Sequence, residues 1–229
     1  MLCDLHTHSV FSDGTYTPLE IIDSAIAAGL SAVALTDHNT MDGLPDFLAA
    51  ARGKNINIVP GVEFSADYKG TELHILGLFI APEHFERVAE LMEKGYVSTA
   101  KEAFASLLSK SGGYYVAPKR PTAQEIIDFI SSIGAVSVLA HPFLNLDDGE
   151  IVEFLSTTRG LHGMECYYST YDEATTKRAL ELVEQFSLLP SGGSDFHGAA
   201  KPGTELGVGK GNLQIPYEWY LALKEKARN

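Results

Sequence analysis

Short apolar stretches alternate with segments of helical periodicity along the chain. The first strand-like stretch ends at Asp4-Leu5, and others follow at 32–35, 56–59, 136–140, 163–166 and 188–191. Segments with an apolar stripe at helical spacing lie between or after them, at 18–28, 44–52, 83–111, 122–133, 150–156, 172–186 and 217–228. Strands that alternate with helices are typical of parallel α/β folds, so the pattern predicts either a barrel or a doubly wound sheet.

Turn and cap residues mark several boundaries. Thr17-Pro18-Leu19-Glu20 and Thr122-Ala123-Gln124-Glu125 each have the spacing of a capping box at the start of a helix. Lys69-Gly70 predicts a hairpin between strands at 63–68 and 72–79. Gly112-Gly113 is expected to end the long helical segment, and a basic, proline-bounded loop follows at 114–121.

Composition bounds the class of protein. The chain has 229 residues, of which 45% are hydrophobic, which is enough for a sizeable core and excludes a disordered chain. Its two cysteines, Cys3 and Cys166, are too few for a disulfide framework and are expected to be buried in a reduced protein. No repeat or linker is evident, and no apolar run approaches the ~20 residues that span a bilayer. We therefore expect a soluble, cytoplasmic protein with no membrane partner.

The charge balance narrows the choice of partners. Seventeen Lys and Arg residues against thirty Asp and Glu residues give a net charge of −13. A protein that grips long duplex nucleic acid through its phosphates needs a positive surface. The sequence therefore argues against long duplex nucleic acid as a ligand.

Histidines and acids collect where predicted strands end. Six of the eight histidines lie at or near such ends, and carboxylates stand beside them. The candidates are His6, His8, Asp13, Asp37, His38, Glu63, His74, His141, Asp195 and His197. Active sites of α/β folds are built at the edge where the strands end, so these side chains are expected to meet. Imidazoles with carboxylates suit zinc, manganese or iron, and the absence of cysteine among them argues against a structural zinc site.

Several candidates have an ordinary structural alternative. Asp13 is also a turn residue, Glu63 could be a solvated hairpin acid, and His74 could be a hydrogen-bonded sheet histidine. Asp37 is expected to orient His38 rather than to bind a metal. The two remaining histidines, His84 and His162, are expected to be surface or packing residues.

Five motifs, in order along residues 4–197, resemble those of the PHP family, named for polymerase and histidinol phosphatase domains. They are Asp4-Leu5-His6-Thr7-His8-Ser9, Thr36-Asp37-His38-Asn39-Thr40, Gly61-Val62-Glu63, Ala140-His141-Pro142 and Gly193-Ser194-Asp195-Phe196-His197. The resemblance implies a distorted seven-stranded (β/α)7 TIM-like barrel with two to three divalent ions (Mn, Fe or Zn) at the carboxyl ends of its strands. It assigns His6, His8, Glu63 and Asp195 to the first ion, Asp13, His38 and His197 to the second, and Glu63, His74 and His141 to the third.

The same resemblance implies a metal-dependent phosphoesterase that hydrolyses a phosphate monoester through a metal-bridging hydroxide. Ser12-Asp13-Gly14 and the 115–121 stretch resemble relatives that act on nucleoside monophosphates, nucleoside 3′,5′-bisphosphates or 5′ ends of short RNA. It also implies a single PHP domain over residues 1–229, with a short helical insertion or lid at about 82–121. The insertion is shorter than in those relatives and lacks a Gly-Arg-Pro-His type signature. Histidinol phosphate or another small phosphomonoester is therefore an alternative substrate, and a non-catalytic, metal-stabilised partner domain is an alternative of another class.

Residues beyond the metal ligands are assigned with less support from the sequence. Lys119 and Arg120 are adjacent cations that could clamp a phosphate group or form a solvated turn, and Lys201 is a weaker candidate of the same kind. His38 and His197 could also transfer a proton, and no further catalytic residue is assigned. Tyr167, Tyr168 and Tyr171 could stack a base, although packing is the more common role.

Overall fold

Seven strands form one sheet in the computed structural model, which describes residues 1–93 and 120–227. They are β1 (Cys3–Asp4), β2 (Ala32–Leu35), β3 (Asn57–Tyr68), β4 (Thr71–Leu78), β5 (Val136–Leu139), β6 (Gly163–Tyr168) and β7 (Leu189–Gly193). Their order in the sheet is their order along the chain. Neighbouring strands are parallel except that β4 is antiparallel to both β3 and β5.

The sheet curls until its first and last strands meet. Beyond β7, the backbone N–H of Asp195 donates to the carbonyl of His6 at 2.9 Å, and the N–H of Leu5 donates to the carbonyl of Gly192 at 3.2 Å. Gly193 allows this approach, because a Cβ atom at that position would lie 2.2 Å from the Cβ of His6. The expected seven-stranded barrel is confirmed, and the doubly wound alternative is wrong.

One expected break in the sheet is absent. The stretches at 56–59 and 63–68, predicted as separate strands, are joined in the single 12-residue strand β3, which begins at Asn57. The predicted hairpin that follows is confirmed, with Tyr68 paired to Thr71. Its two turn residues, Lys69 and Gly70, both have positive φ (54° and 87°), as a two-residue type I′ turn requires.

Seven α-helices connect or follow the strands in the described residues. They are α1 (Pro18–Ala27), α2 (Leu44–Ala50), α3 (Phe85–Glu93), α4 (Ala123–Ser132), α5 (Asp148–Thr157), α6 (Glu173–Gln185) and α7 (Tyr217–Lys226). Both predicted capping boxes are confirmed, since Thr17 and Thr122 each accept from the N–H of the glutamate three residues on. A third box, Asp147 with Glu150, begins α5 two residues before the predicted start.

Two apolar clusters pack against opposite faces of the sheet. Val33 and Leu35 of β2 point outward into the cluster between sheet and helices, whereas Ala32 and Ala34 point into the barrel. The inner cluster is formed by Cys3, Leu5, Ala32, Ala34, Val59, Leu76, Leu78, Val136, Val138, Ala140, Leu213, Ile215, Tyr220 and Leu223. Tyr220 and Leu223 belong to α7, so the last helix closes the barrel at the end opposite the ligand-bearing loops.

Cys3 and Cys166 are buried free thiols, as the composition predicts. Of the predicted insertion, the structure describes a 3-10 turn (Pro82–His84), α3 and Arg120 onward; Val88 and Met92 of α3 join the outer cluster. The predicted helix end at 111–113 and most of the basic loop lie outside the described residues. In the described part of the chain, no helix has the length and apolar character needed to cross a membrane.

Candidate metal centre

The nine predicted ligands converge at one end of the barrel. His6 and His8 follow β1, His38 follows β2, His141 follows β5, and Asp195 and His197 follow β7, while Asp13 comes from the loop after β1. Glu63 lies inside β3 and His74 inside β4. His74 reaches this end although it lies near the start of its strand, because β4 runs antiparallel to its neighbours.

Four buried side chains form the first donor group: His6, His8, Glu63 and Asp195. The Oε2 atom of Glu63 lies 3.0 Å from Nε2 of His6 and 3.1 Å from Nε2 of His8. Oδ1 of Asp195 lies 3.2 Å from the same His8 nitrogen. This group contains the four residues that the resemblance to the PHP family assigns to the first ion.

A second donor group surrounds Asp13 and opens to solvent. Oδ1 of Asp13 lies 3.2 Å from Nε2 of His197, and its Oδ2 lies 3.8 Å from Nε2 of His38. Nδ1 of His8 lies 3.8 Å from Oδ1 of Asp13. The predicted trio is therefore joined by His8, whose two ring nitrogens face different groups.

The third donor group centres on the other oxygen of Glu63. Oε1 lies 2.8 Å from Nδ1 of His74 and 3.0 Å from Nε2 of His141. His38, Glu63 and His74 form a trio whose ligand atoms lie near one another, with Nδ1 of His38 3.2 Å from Oε2 of Glu63. His141 contacts Glu63 as expected, but it lies outside that trio of mutually close donor atoms.

The unpaired atoms of this centre suit cations. Among the described residues, several buried nitrogen and oxygen atoms of the predicted ligands have no hydrogen-bond partner. They are Nε2 of His6, both ring nitrogens of His8, Oε2 of Glu63 and Nδ1 of His141. Leaving buried polar atoms unpaired is unfavourable by ~1–3 kcal/mol each. Divalent ions that accept nitrogen and oxygen ligands would satisfy such atoms, so the residues fit a metal cluster.

Electrostatics couple these side chains tightly. Burial lowers the pKa of His8 and His74, but the carboxylates opposite them outweigh it and raise the pKa of His8 to about 9 and of His74 to about 10. Burial raises the pKa of Glu63, but its imidazole neighbours hold it well below the usual range. His38 differs, because burial dominates and lowers its pKa to about 4. Burial lowers the pKa of His6 too, but Glu63, Glu165 and Asp195 outweigh it and raise that pKa well above its usual value. Without cations, the carboxylates are therefore balanced by protons on His6, His8 and His74.

Glu165 contacts two of the predicted ligands, although the sequence does not single it out. This acid of β6 has no exposed surface; its Oε1 lies 3.0 Å from Nδ1 of His6, and its Oε2 accepts from the N–H of His141 at 2.7 Å. One signal was available: Glu165 stands between the apolar Met164 and Cys166 in a predicted strand, and a buried acid needs partners.

Asp195 has two further partners at the edge of the centre. The hydroxyl of Tyr168 donates to its Oδ2 at 2.7 Å, and the ammonium of Lys201 contacts the same oxygen. Tyr168 is buried, Tyr171 accepts from the N–H of Phe143 at 3.1 Å, and Tyr167 packs on Trp219. These contacts support packing rather than base stacking as the role of the three tyrosines.

Asp37 has a different role from the expected one. Its carboxylate accepts from the N–H of Ser9 at 2.7 Å, from the Ser9 hydroxyl at 2.6 Å and from the Ser12 hydroxyl at 2.6 Å. It thus orients the loop that carries Asp13 rather than the ring of His38. His162 has a packing role, as expected, because its Nδ1 accepts from the N–H of Ser137.

A cavity of about 500 Å³ opens above the centre. It is lined by Asp13, His38, His74, His141, Leu144, Asn145, Tyr168, Asp195, His197, Ala200 and Lys201. Arg120 is not among the described residues that line it; its guanidinium lies 2.8 Å from Glu72, whose other oxygen lies 3.5 Å from Nε2 of His74. Lys119 lies outside the described residues.

Comparisons with known proteins agree with this geometry. The family model described as PHP domain matches residues 4–135, more than half of the chain. The chain is similar to a 5′-3′ exoribonuclease Rnm of Salmonella typhimurium, with 27% identity over 90% of this chain and 88% of the relative. It is also similar to a 3′,5′-nucleoside bisphosphate phosphatase of Chromobacterium violaceum, with 26% identity over 89% of this chain and 90% of the relative.

The fold has a close match among solved structures. A structure assigned as a metal-dependent phosphoesterase from Bifidobacterium adolescentis superposes with a TM-score of 0.77 at 23% identity, covering 98% of this chain and 96% of the other. The motifs, the barrel and the converged donor groups agree with the family match. The chain therefore belongs to the PHP domain family and is a metal-dependent phosphoesterase.

Proposed function

We propose that this enzyme hydrolyses the phosphate monoester of a small nucleotide or of the 5′ end of a short oligonucleotide. The observation that carries the proposal is the sharing of Glu63 and His8 between adjacent donor groups at the floor of a cavity of about 500 Å³. That volume lies in the range of small-molecule sites. The similarity to a bisphosphate phosphatase and to an exoribonuclease supports nucleotide substrates.

In this proposal all nine side chains are metal ligands, and they hold two to three divalent ions. When bound, Mn, Fe or Zn ions would neutralise the charge of a phosphate and lower the pKa of water enough for attack on phosphorus near neutral pH. The chain's own contribution is to fix the relative positions of the ligands, through carboxylates that each face two or more imidazoles. Asp37 adds to this by holding the loop of Asp13.

Proton transfer is a minor part of the proposal. His38 and His197 line the cavity, and the lowered pKa of His38 keeps its ring neutral at neutral pH. Both nitrogens of His38, however, face carboxylates of the donor groups. A nitrogen that binds a cation cannot accept a proton at the same time, so no catalytic residue is proposed beyond the ligands.

Substrate contacts are proposed on both sides of the cavity. Lys201 lines it beside Asp195, and its ammonium group is proposed as a phosphate contact. Arg120 is proposed as a second phosphate contact with its neighbour Lys119, since its side chain reaches Glu72 beside His74. We also propose that residues 1–229 act as one PHP domain, with an insertion at about 82–121.

A substrate panel tests the proposal. Enzyme reconstituted with Mn²⁺ is assayed with a nucleoside monophosphate, a nucleoside 3′,5′-bisphosphate, 5′-phosphorylated RNA and histidinol phosphate, with Asp195→Ala as the inactive control. We expect kcat/KM for one of the nucleotide substrates to exceed that for histidinol phosphate at least tenfold. Fastest turnover of histidinol phosphate, or equally slow turnover of all four, would contradict the substrate class. Bound metal without any turnover would favour a non-catalytic partner domain.

A further inference from the structure

Strand β6 contributes no predicted metal ligand, yet two of its side chains reach ligands. Glu165 contacts His6 and His141, and Tyr168 contacts Asp195. A bulge separates the two contacts, because the register with β7 shifts between Glu165 and Tyr167. Bulges bend a strand and re-aim its side chains, and this one lets residues three apart both face the centre.

We propose that Glu165 is a positioning residue of the metal centre, which sets the tautomer of His6 and the backbone orientation of His141. The inference rests on the proposed function only in requiring that these two histidines bind cations. It assigns Glu165 no contact with substrate.

Glu165 contacts the ring of His6 through one carboxylate oxygen. A carboxylate oxygen accepts hydrogen bonds and cannot donate them, so the 3.0 Å contact to Oε1 of Glu165 places the proton on Nδ1. Nε2 lies 3.0 Å from Oε2 of Glu63 and has no hydrogen-bond partner among the described residues, so it is the nitrogen that can lose its proton and offer a lone pair to a cation. Glu165 therefore directs the free nitrogen of His6 into the first donor group.

The other oxygen of Glu165 contacts the backbone of His141. Its φ of 28° lies in the left-handed region, which costs a residue other than glycine of order 1–3 kcal/mol. Oε2 of Glu165 accepts from the N–H of His141 at 2.7 Å, which fixes the peptide that enters this strained residue. The His141 ring can then approach Oε1 of Glu63 to 3.0 Å.

Glu165 occupies a position where an apolar side chain would be expected. Glu165 is fully buried, and its strand neighbours Met164 and Cys166 are buried and apolar. A buried carboxylate contributes less to stability than a well-packed apolar side chain of similar size unless its partners compensate. Both of its oxygens are used on residues of the metal centre, one oxygen for each of two donor groups. Packing alone does not explain an acid here, whereas ligand positioning does.

The test is the binding of Mn²⁺ by Glu165→Gln. Glutamine keeps the shape but offers one acceptor and one donor, so either His6 or the His141 amide meets a donor. We expect Mn²⁺ affinity to fall ~10–100-fold, as it does when groups that orient metal ligands are lost. Metal-free protein is titrated with Mn²⁺, and free Mn²⁺ is counted by its electron paramagnetic resonance signal.

Met164→Ala is the matched control, because Met164 is buried in the same strand but faces the outer cluster. We expect it to lower thermal stability while leaving Mn²⁺ affinity within threefold of the wild type. The inference is overturned if Glu165→Gln binds Mn²⁺ as tightly as wild type, or loses no more affinity than Met164→Ala. If wild type itself takes up no Mn²⁺, the proposed function fails instead, so the two failures are distinguishable.

A measurement on wild-type protein keeps the inference testable if Glu165→Gln does not fold. In Zn²⁺-loaded protein with ¹⁵N-labelled histidine, the ring correlations of His6 report which nitrogen carries the proton. We expect a proton on Nδ1 and none on Nε2. A proton on Nε2, or an Nδ1 without one, would overturn the assignment.

Discussion

The interior of the barrel has two layers that share the same strands and differ in chemistry. Near α7 the inward positions are apolar, as in Leu76 and Val138, whereas near the strand-end loops they are acids and imidazoles such as Glu63 and His74. On β4 an apolar and a polar inward position lie two residues apart, so the side chains of Leu76 and His74 point the same way. The apolar layer gains stability from burial alone, but the polar layer holds buried charges that are stable only with compensating partners.

The largest effect is expected from the polar layer, in Glu63→Gln. Glu63 lies within 3.2 Å of five imidazoles: His6, His8, His38, His74 and His141. Glutamine keeps the size but removes the charge that balances cations, so turnover should fall ~10³-fold or more while the barrel still folds. Steady-state assays with a circular dichroism control check this. Activity within tenfold of wild type would show that Glu63 is not a ligand of the reacting centre.

The apolar layer should respond in the opposite way. Leu76→Ala removes a fully buried side chain of the inner cluster, which should lower the free energy of unfolding by ~2–5 kcal/mol. Mn²⁺ affinity of the folded protein should stay within threefold of wild type. Urea denaturation and Mn²⁺ titration measure the two quantities, with the half-exposed Leu221→Ala as control. A loss of metal affinity as large as that of Glu165→Gln would show that the layers are not separable.

The affinity of the polar layer for metal ions should depend on pH. In metal-free protein the raised pKa values of His8, about 9, and His74, about 10, mean that a bound cation must displace protons below those values. Mn²⁺ affinity should therefore rise with pH, by about tenfold per unit for each proton displaced. Calorimetry in buffers of different ionisation enthalpy counts the released protons. Affinity independent of pH between 6.5 and 8.5 would contradict the coupling.

Metal-free stability should follow the reverse trend. His8 and His74 each have a pKa in the folded protein that lies above the unfolded value near 6.5. Its contribution to stability is therefore complete below pH 6.5 and is lost as pH rises through about 9 to 10. Metal-free protein should unfold at lower urea concentration as pH rises from 7 to 9, and a constant midpoint would argue against proton-for-metal exchange.

The smallest effect is expected at the rim, in Lys201→Gln. Lys201 contacts Asp195 and lines the cavity. Its replacement should raise KM about tenfold with little change in kcat, because one charged hydrogen bond to the substrate phosphate is lost. Lys210→Gln, at an exposed lysine in the loop before α7, is the matched control. Equal KM values for the two variants would remove Lys201 from the substrate site.

The sequence predicts most of this arrangement because ligand motifs and strand ends coincide. Short apolar runs identify β2 and β5, and His38 and His141 follow at the edge where sites form. The length of β3 could not be predicted in this way, because Pro60-Gly61 resembles a break and the pairing that spans it is non-local. Likewise, the contact of Gly193 with His6 depends on barrel closure, which periodicity does not show.

The partners of the ligands were harder to predict than the ligands themselves. Asp37 is adjacent to His38 in sequence, yet its carboxylate serves Ser9 and Ser12, 25 or more residues away. Glu165 serves His6 across 159 positions, and nothing local to β6 indicates that pairing. Such contacts are decided by which strands become neighbours, a tertiary property that a motif does not encode.

Metal analysis of the purified enzyme tests the central claim, that the polar layer is a multinuclear cation site, most directly. Wild type and Glu63→Gln are reconstituted with Mn²⁺, dialysed against metal-free buffer and analysed by inductively coupled plasma mass spectrometry. We predict that wild type retains two to three equivalents of Mn²⁺ and that Glu63→Gln retains fewer than one. Wild-type protein that is folded but retains no more Mn²⁺ than the variant would contradict the account.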